Sequence, residues 1–326
     1  MVLLVVVGAE EIILGNEIMK KAVVTGATSS IGASAVKALI ADGYQVLAVV
    51  RPKTARLARL PDVAGLTVVE CDVANVHNFP EQAEKYDVFY HLAWEHTGKD
   101  ERLDLGLQNL NVAHTLTALQ LAKRLGCRRF IGAGSQAEYG LKNHKLMENE
   151  PVAPVMAYGW AKYAAGELIL QIAPLLDMSA AWVRIFSVYG INDTQNTLIN
   201  YVIQTLAKKG SPTLSDCTQI WDYLYDADAG AALVALAKTD ASGIFNLGSG
   251  KGRILKDYVE EIRAIMGAKA AISYGAISKR ADQPEHLEAD ITKITAATGW
   301  QPKWNFADGI GEILDHYRRN NLLGRE

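Results

Sequence analysis

From Lys20 onward, short runs of β-branched and other apolar residues alternate with longer stretches whose apolar positions recur every three or four residues. KAVVT precedes SIGASAVKALIADG, QVLAVV precedes GLTVVECDV, and DVFYHLAW precedes a helical pattern over about 103–125. RRFIGAG leads to a second helical stretch over about 158–176, and the runs AAWVRIFSVYG and GIFNLGSG follow. Strands that alternate with helices in this way predict an α/β fold, a doubly wound parallel sheet covered on both faces. Asp42 and Gly43 supply the stop of the first helix and the turn into the next strand. Beyond Gly190 the pattern loosens. Residues 191–217 and 249–326 are expected to form a smaller lobe over the carboxyl edge of the sheet, with 218–248 returning to the main unit of 19–190.

Composition narrows the classes of function. The chain has 326 residues, 49% of them hydrophobic, enough for a real core. Its 33 basic and 36 acidic residues leave a formal charge of −3, which offers no footprint for nucleic acid or an anionic membrane. Cys71, Cys127 and Cys217 are far apart and odd in number, so neither a disulfide framework nor a metal site is expected, and the cytoplasm is the expected compartment. Residues 1–18 carry an apolar run broken by Gly8, Glu10 and Glu11 without a basic start. They read as an extension rather than a signal peptide or a membrane span.

The stretch TGATSSIG, residues 25–32, stands between the first strand and the first helix. Gly26 can make the tight turn and Gly32 can allow close packing of helix on strand, whereas Ser29 takes the place of a middle glycine. A small side chain there keeps the helix amides open to a phosphate and adds a hydroxyl. By itself the motif does not separate a nucleotide site from an ordinary glycine turn. CDV at 71–73, HLAW at 91–94, GSQAEYG at 134–140, YGWAK at 158–162 and RIFSVYG at 184–190 follow in order. With these, the chain from about Met19 to Tyr317 resembles the extended short-chain dehydrogenase/reductases, in their nucleotide-sugar epimerase/dehydratase branch.

The resemblance implies a Rossmann-type domain binding NAD or NADP through Gly26, Thr28, Ser29, Ser30, Ile31 and Gly32. It gives Asp72 and Val73 to the adenine, and Leu92 and Ala93 to the ribose and pyrophosphate. For Asp72, capping of the next segment is the competing reading. His91 reads as a packed strand residue. Tyr158 and Lys162, four apart, share one face of a helix and form the only Tyr-x-x-x-Lys pair among thirteen tyrosines. The resemblance makes Tyr158 the acid/base, with Lys162 lowering its pKa and holding the nicotinamide ribose, and Ser135 donating to the same substrate oxygen.

In sugar 4,6-dehydratases the residue matching Ser135 is followed by Asp and Glu; here Gln136 and Ala137 stand there, and Glu138 comes one position late. Dehydration is therefore disfavoured, and redox at one carbon remains, by a 4-keto reductase or a 4-epimerase. At the end of the second strand Arg51 stands where an acid would select NAD, which tilts the expectation to NADP. The resemblance places Gln136, Ser187, Trp221 and Arg280 at the nucleotide sugar, with Asp282 orienting Arg280. Ser187 and Trp221 depart from the asparagine and arginine common in the family. Apolar positions in excess of one stripe on both long helices predict a homodimer through them. A dinucleotide-binding regulatory or scaffold protein without turnover is the rival class, although Ser135, Tyr158 and Lys162 are all retained.

Overall fold

A computed structural model describes residues 20–194, 196–279 and 282–324. The extension of 1–18 and Arg280 therefore lie outside the described residues. In chain order the elements are β1 (Lys21–Thr25), α1 (Ser30–Ala41), β2 (Gln45–Val50), β3 (Leu66–Glu70), β4 (Val88–His91), α2 (Leu105–Arg124), β5 (Arg129–Ser135), α3 (Ala157–Ile172) and β6 (Ser179–Ile185). There follow β7 (Ser187–Tyr189), α4 (Leu198–Ala207), β8 (Ile220–Trp221), β9 (Tyr223–Tyr225), α5 (Asp226–Ala237) and β10 (Gly243–Leu247). The chain continues through β11 (Arg253–Ile254), α6 (Leu255–Ile265), β12 (His286–Leu287), α7 (Thr292–Thr298) and α8 (Phe306–Arg319).

Seven parallel strands form the central sheet in the order β10-β6-β5-β4-β1-β2-β3. Successive side chains on a strand point to opposite faces, and here both directions are apolar. Val24, Ala48, Tyr90, Ile131 and Val183 meet Ala35, Leu39 and Leu233 of α1 and α5 on one side. Val23, Leu47, Phe89, Phe130 and Trp182 meet Leu119, Ala122, Ala165 and Ile169 of α2 and α3 on the other. The indole of Trp182 needs glycines around it: a Cβ at Gly134 or Gly166 would lie 2.5 or 2.6 Å from its Nε1.

From β1 the chain winds outward to β2 and β3, then crosses to β4 on the other side of β1. The carboxyl ends of β1 and β4 thus flank the point where the winding reverses, the place at which such sheets leave a crevice. A separate core of Tyr189, Tyr225, Tyr258, Phe306 and Ile310 joins α4, α6 and α8 beside it. Among the described residues, no helix is long and apolar enough to cross a membrane.

Both long helices are shorter than the periodicity suggests. The Asp104 carboxylate accepts from the Leu107 amide and starts α2 at Leu105, leaving Leu103 in a separate 3-10 turn. Pro174 has no N–H and cannot follow Leu170 in a regular helix, so 173–176 tighten into a 3-10 turn that ends on Asp177 at φ +55°.

Candidate functional site

The turn after β1 is shaped by what its glycines leave out. Gly26 has φ +69°, and a Cβ there would lie 2.6 Å from Ala93 N and 2.7 Å from the Leu92 carbonyl. At Gly32 a Cβ would run into the Gly26 carbonyl oxygen. Ser29 caps α1, its Oγ accepting from Gly32 N at 2.9 Å, so the hydroxyl proton remains to be donated. The first amides of α1, including Ser30 and Ile31, have no intrahelical acceptor, and the helix dipole favours negative charge there.

In front of this turn lies a cavity of about 400 Å³, lined by Thr25, Gly26, Thr28, Ser29, Arg51, Arg56, Cys71, Val73, Leu92, Ala93 and Trp94, among others. A cavity that takes in the Gly26 turn, the Ser29 cap of α1 and the side chains of Arg51 and Arg56 fits a dinucleotide. Asp72 is half-buried and does not line the cavity: its Oδ1 accepts from Ala74 N at 2.9 Å, capping the following 3-10 turn. His91 is fully packed, with Nδ1 2.9 Å from Thr25 Oγ1 and Nε2 3.3 Å from Thr115 Oγ1. Burial drives its pKa down to about 3, and it is a neutral core residue.

On the other side of the α1 N-terminus a second cavity of about 530 Å³ is lined by Ser30, Ile31, Ser187, Asp193, Trp221, Tyr223 and Lys279, among others. Ser187 and Trp221, far apart in sequence, meet here: Trp221 Nε1 donates to Ser187 Oγ at 2.8 Å. Asp222, wholly buried, fixes that strand by accepting from the amides of Ser249, Gly250 and Ala289 at 2.8, 3.0 and 3.1 Å.

Ser135 ends β5 and opens a 3-10 turn in which Ala137 N donates to its Oγ at 3.2 Å. Tyr158 and Lys162 stand one turn apart at the start of α3, and the Ser135 side chain is near enough to the Tyr158 phenol to favour its ionised form. Gln136 is half-buried beside them. Lys162 Nζ donates to the Ala133 carbonyl at 2.6 Å and lies 3.7 Å from the centre of the Trp94 ring and 5.9 Å from that of Tyr158. Burial lowers the Lys162 pKa to about 7, opposed by the Glu138 carboxylate.

Burial raises the Tyr158 pKa, and the groups that oppose the rise are the Arg102 guanidinium and the Ser135 side chain. Lys162 is turned to a carbonyl and an indole face instead.

Glu138 is the residue that sequence spacing leaves displaced, and it is wholly buried. It accepts from Ser135 N at 2.8 Å, Trp182 Nε1 at 3.0 Å and Arg184 Nε at 2.7 Å. A carboxylate so engaged holds the serine in place, and its burial shuts it off from a substrate proton. Trp94, Arg102, Arg56 and the Glu138–Arg184 pair escape the sequence reading. HLAW alone hinted at one of them, by putting Trp94 at the end of a strand in the motif.

A family model described as "NAD dependent epimerase/dehydratase family" matches residues 22–248. The chain is 26% identical over 316 residues to UDP-glucuronic acid decarboxylase 1 of Arabidopsis thaliana, covering 93% of this chain and 71% of that one. The structure of UDP-N-acetylglucosamine 4-epimerase from Methanobrevibacter ruminantium M1, in complex with UDP-N-acetylmuramic acid, superposes with a TM-score of 0.84 at 22% identity, over 93% of this chain and 99% of that one. UDP-glucuronic acid 4-epimerase from Bacillus cereus, in complex with UDP-glucuronic acid and NAD, gives 0.78 at 22% identity over 92% and 99%.

Proposed function

The chain belongs to the NAD dependent epimerase/dehydratase family and is an enzyme of that kind, and we propose that it acts on a nucleotide-activated sugar by hydride transfer at one carbon, C4, as a 4-epimerase or 4-keto reductase. The observation that carries the reading is the meeting of Ser135, Tyr158 and Lys162 from two elements against Trp94, which lines the first of the two cavities that flank the N-terminus of α1. The nicotinamide, when bound, supplies the acceptor and donor of hydride. Tyr158 takes a proton from the sugar hydroxyl, or returns one to the carbonyl, while Ser135 donates to the same oxygen and Lys162 holds the nicotinamide ribose. Gly26, Thr28, Ser29, Ser30, Ile31 and Gly32 cradle the pyrophosphate; Val73, Leu92 and Ala93 wall the adenosine half. Ser187 and Trp221, with Gln136, face the sugar nucleotide. Engagement of Glu138 by Arg184 supports the exclusion of dehydration.

Product analysis by NMR tests this. UDP-glucose, UDP-N-acetylglucosamine and UDP-glucuronic acid, each with NAD, are expected to yield a C4 epimer from at least one; a UDP-4-keto sugar with NADPH covers the reductase. Loss of carbon dioxide from UDP-glucuronic acid would replace the reading by decarboxylation. Cofactor binding without turnover of any of these would favour a regulatory protein.

Arg51 and Arg56, both exposed at the adenosine end of the first cavity, support a preference for NADP. Arg51→Asp is expected to shift relative affinity toward NAD by about tenfold, the scale of one charge-assisted hydrogen bond. A wild-type chain that binds NAD at least as tightly as NADP would overturn the assignment. For assembly, exposed Leu110 on α2 and exposed Trp160 and Leu168 on α3 support a homodimer through these helices. Light scattering would then give twice the chain mass of 35.4 kDa.

A further inference from the structure

The loop between β4 and α2 brings a cation to the proposed acid/base. The centre of the Arg102 guanidinium lies 4.7 Å from the centre of the Tyr158 ring, and its Nε donates to the Thr97 carbonyl at 2.9 Å. The loop is itself held. Glu101 accepts from Gly98 N at 2.9 Å and lies 3.1 Å from His96 Nδ1, and the buried Gln108 amide donates to the His96 and Glu101 carbonyls at 2.7 and 3.0 Å. The Trp94 ring stands edge-on to Tyr158 at 6.1 Å, closing the other flank. Stacking of a guanidinium on a phenol is attractive, and it becomes more so when the ring carries charge.

We propose that Arg102 is a positioning residue for the reaction, the permanent positive charge that favours the phenolate of Tyr158 and so its use as a base. The proposal rests on the acid/base role of Tyr158. The charged or polar groups around that phenol are the Ser135 hydroxyl, the Glu138 carboxylate, which opposes ionisation, Lys162 and Arg102. Lys162 Nζ is turned away, donating to the Ala133 carbonyl at 2.6 Å and standing 5.9 Å from the centre of the Tyr158 ring. A guanidinium keeps its charge at any working pH. The 4.7 Å runs to the ring centre, and even at a separation of about 7 Å from the phenol oxygen, with an effective dielectric constant of about 20, a unit charge alters proton affinity by more than tenfold. Partial exposure of Arg102 reduces the expected effect to about tenfold, one pH unit.

The test is a titration of the full chain, saturated with NAD and labelled with ¹³C at tyrosine Cζ, the Tyr158 resonance being identified by its loss in Tyr158→Phe. In Arg102→Gln the midpoint is expected about one unit above wild type, or beyond the pH at which the fold is lost. In Arg102→Lys it is expected to return most of the way. A residue with a purely structural part would not distinguish lysine from glutamine. An unmoved midpoint in a folded Arg102→Gln or Arg102→Met chain would overturn the proposal. Because the resonance is read without turnover, failure here is separable from failure of the enzymatic reading, which the product analysis decides.

Discussion

Tyr158→Phe is expected to cut turnover by about 10²–10⁴-fold, the range for losing a general acid/base, while cofactor affinity stays close to wild type. The substitution removes one oxygen and leaves the ring, which keeps its edge contact with Trp94 and its place under Arg102. Ser135 keeps the Ala137 amide, so the end of β5 stays put. Steady-state turnover and cofactor binding by fluorescence, measured on the same preparation, separate the two quantities. Turnover within a few-fold of wild type would remove Tyr158 from the chemistry.

The second large effect concerns stability. Glu138→Gln is expected to destabilise the fold by about 3–5 kcal/mol, because it leaves Arg184, 1% exposed, with a buried charge and a neutral partner. The amide oxygen can still accept from Ser135 or Trp182, yet its NH₂ then faces the Arg184 Nε–H, donor against donor. Replacing both residues, as Glu138→Leu with Arg184→Met, is expected to recover much of the loss, since no charge is then stranded. Urea unfolding of the single and double variants reads both numbers. A single variant within about 1 kcal/mol of wild type would mean that the carboxylate does not hold this region together.

The same pair shows why part of the site was hidden. Glu138 and Arg184 are 46 positions apart, on a turn after β5 and on β6, and only the pairing of those neighbouring strands brings them together. Sequence spacing could say that Glu138 was misplaced for dehydration, but it could not say what the residue did instead. Arg102 is similar. It lies in a loop without periodicity, and its contact with Tyr158 depends on where that loop is tied by Gln108 and Glu101.

Local physics made the rest legible. Near-continuous apolar runs of strand length, separated by helical periods, determine a parallel sheet covered on both faces, because each strand must bury both rows of its side chains. TGATSSIG determines its own turn, since Gly26 adopts a backbone conformation with no room for a side chain and Ser29 caps the helix three residues before Gly32. Tyr158 and Lys162 share a helical face by spacing alone. What the tertiary structure decided is electrostatic. Whether a phenol is pushed up or down depends on burial and on charges contributed by other elements, and no linear spacing encodes those distances. The sequence by itself therefore determined the sheet, the cofactor turn and the Tyr158–Lys162 pair. Packing decided that Lys162 faces a carbonyl and an indole, that Arg102 is the cation over Tyr158, and that Glu138 is tied to Arg184.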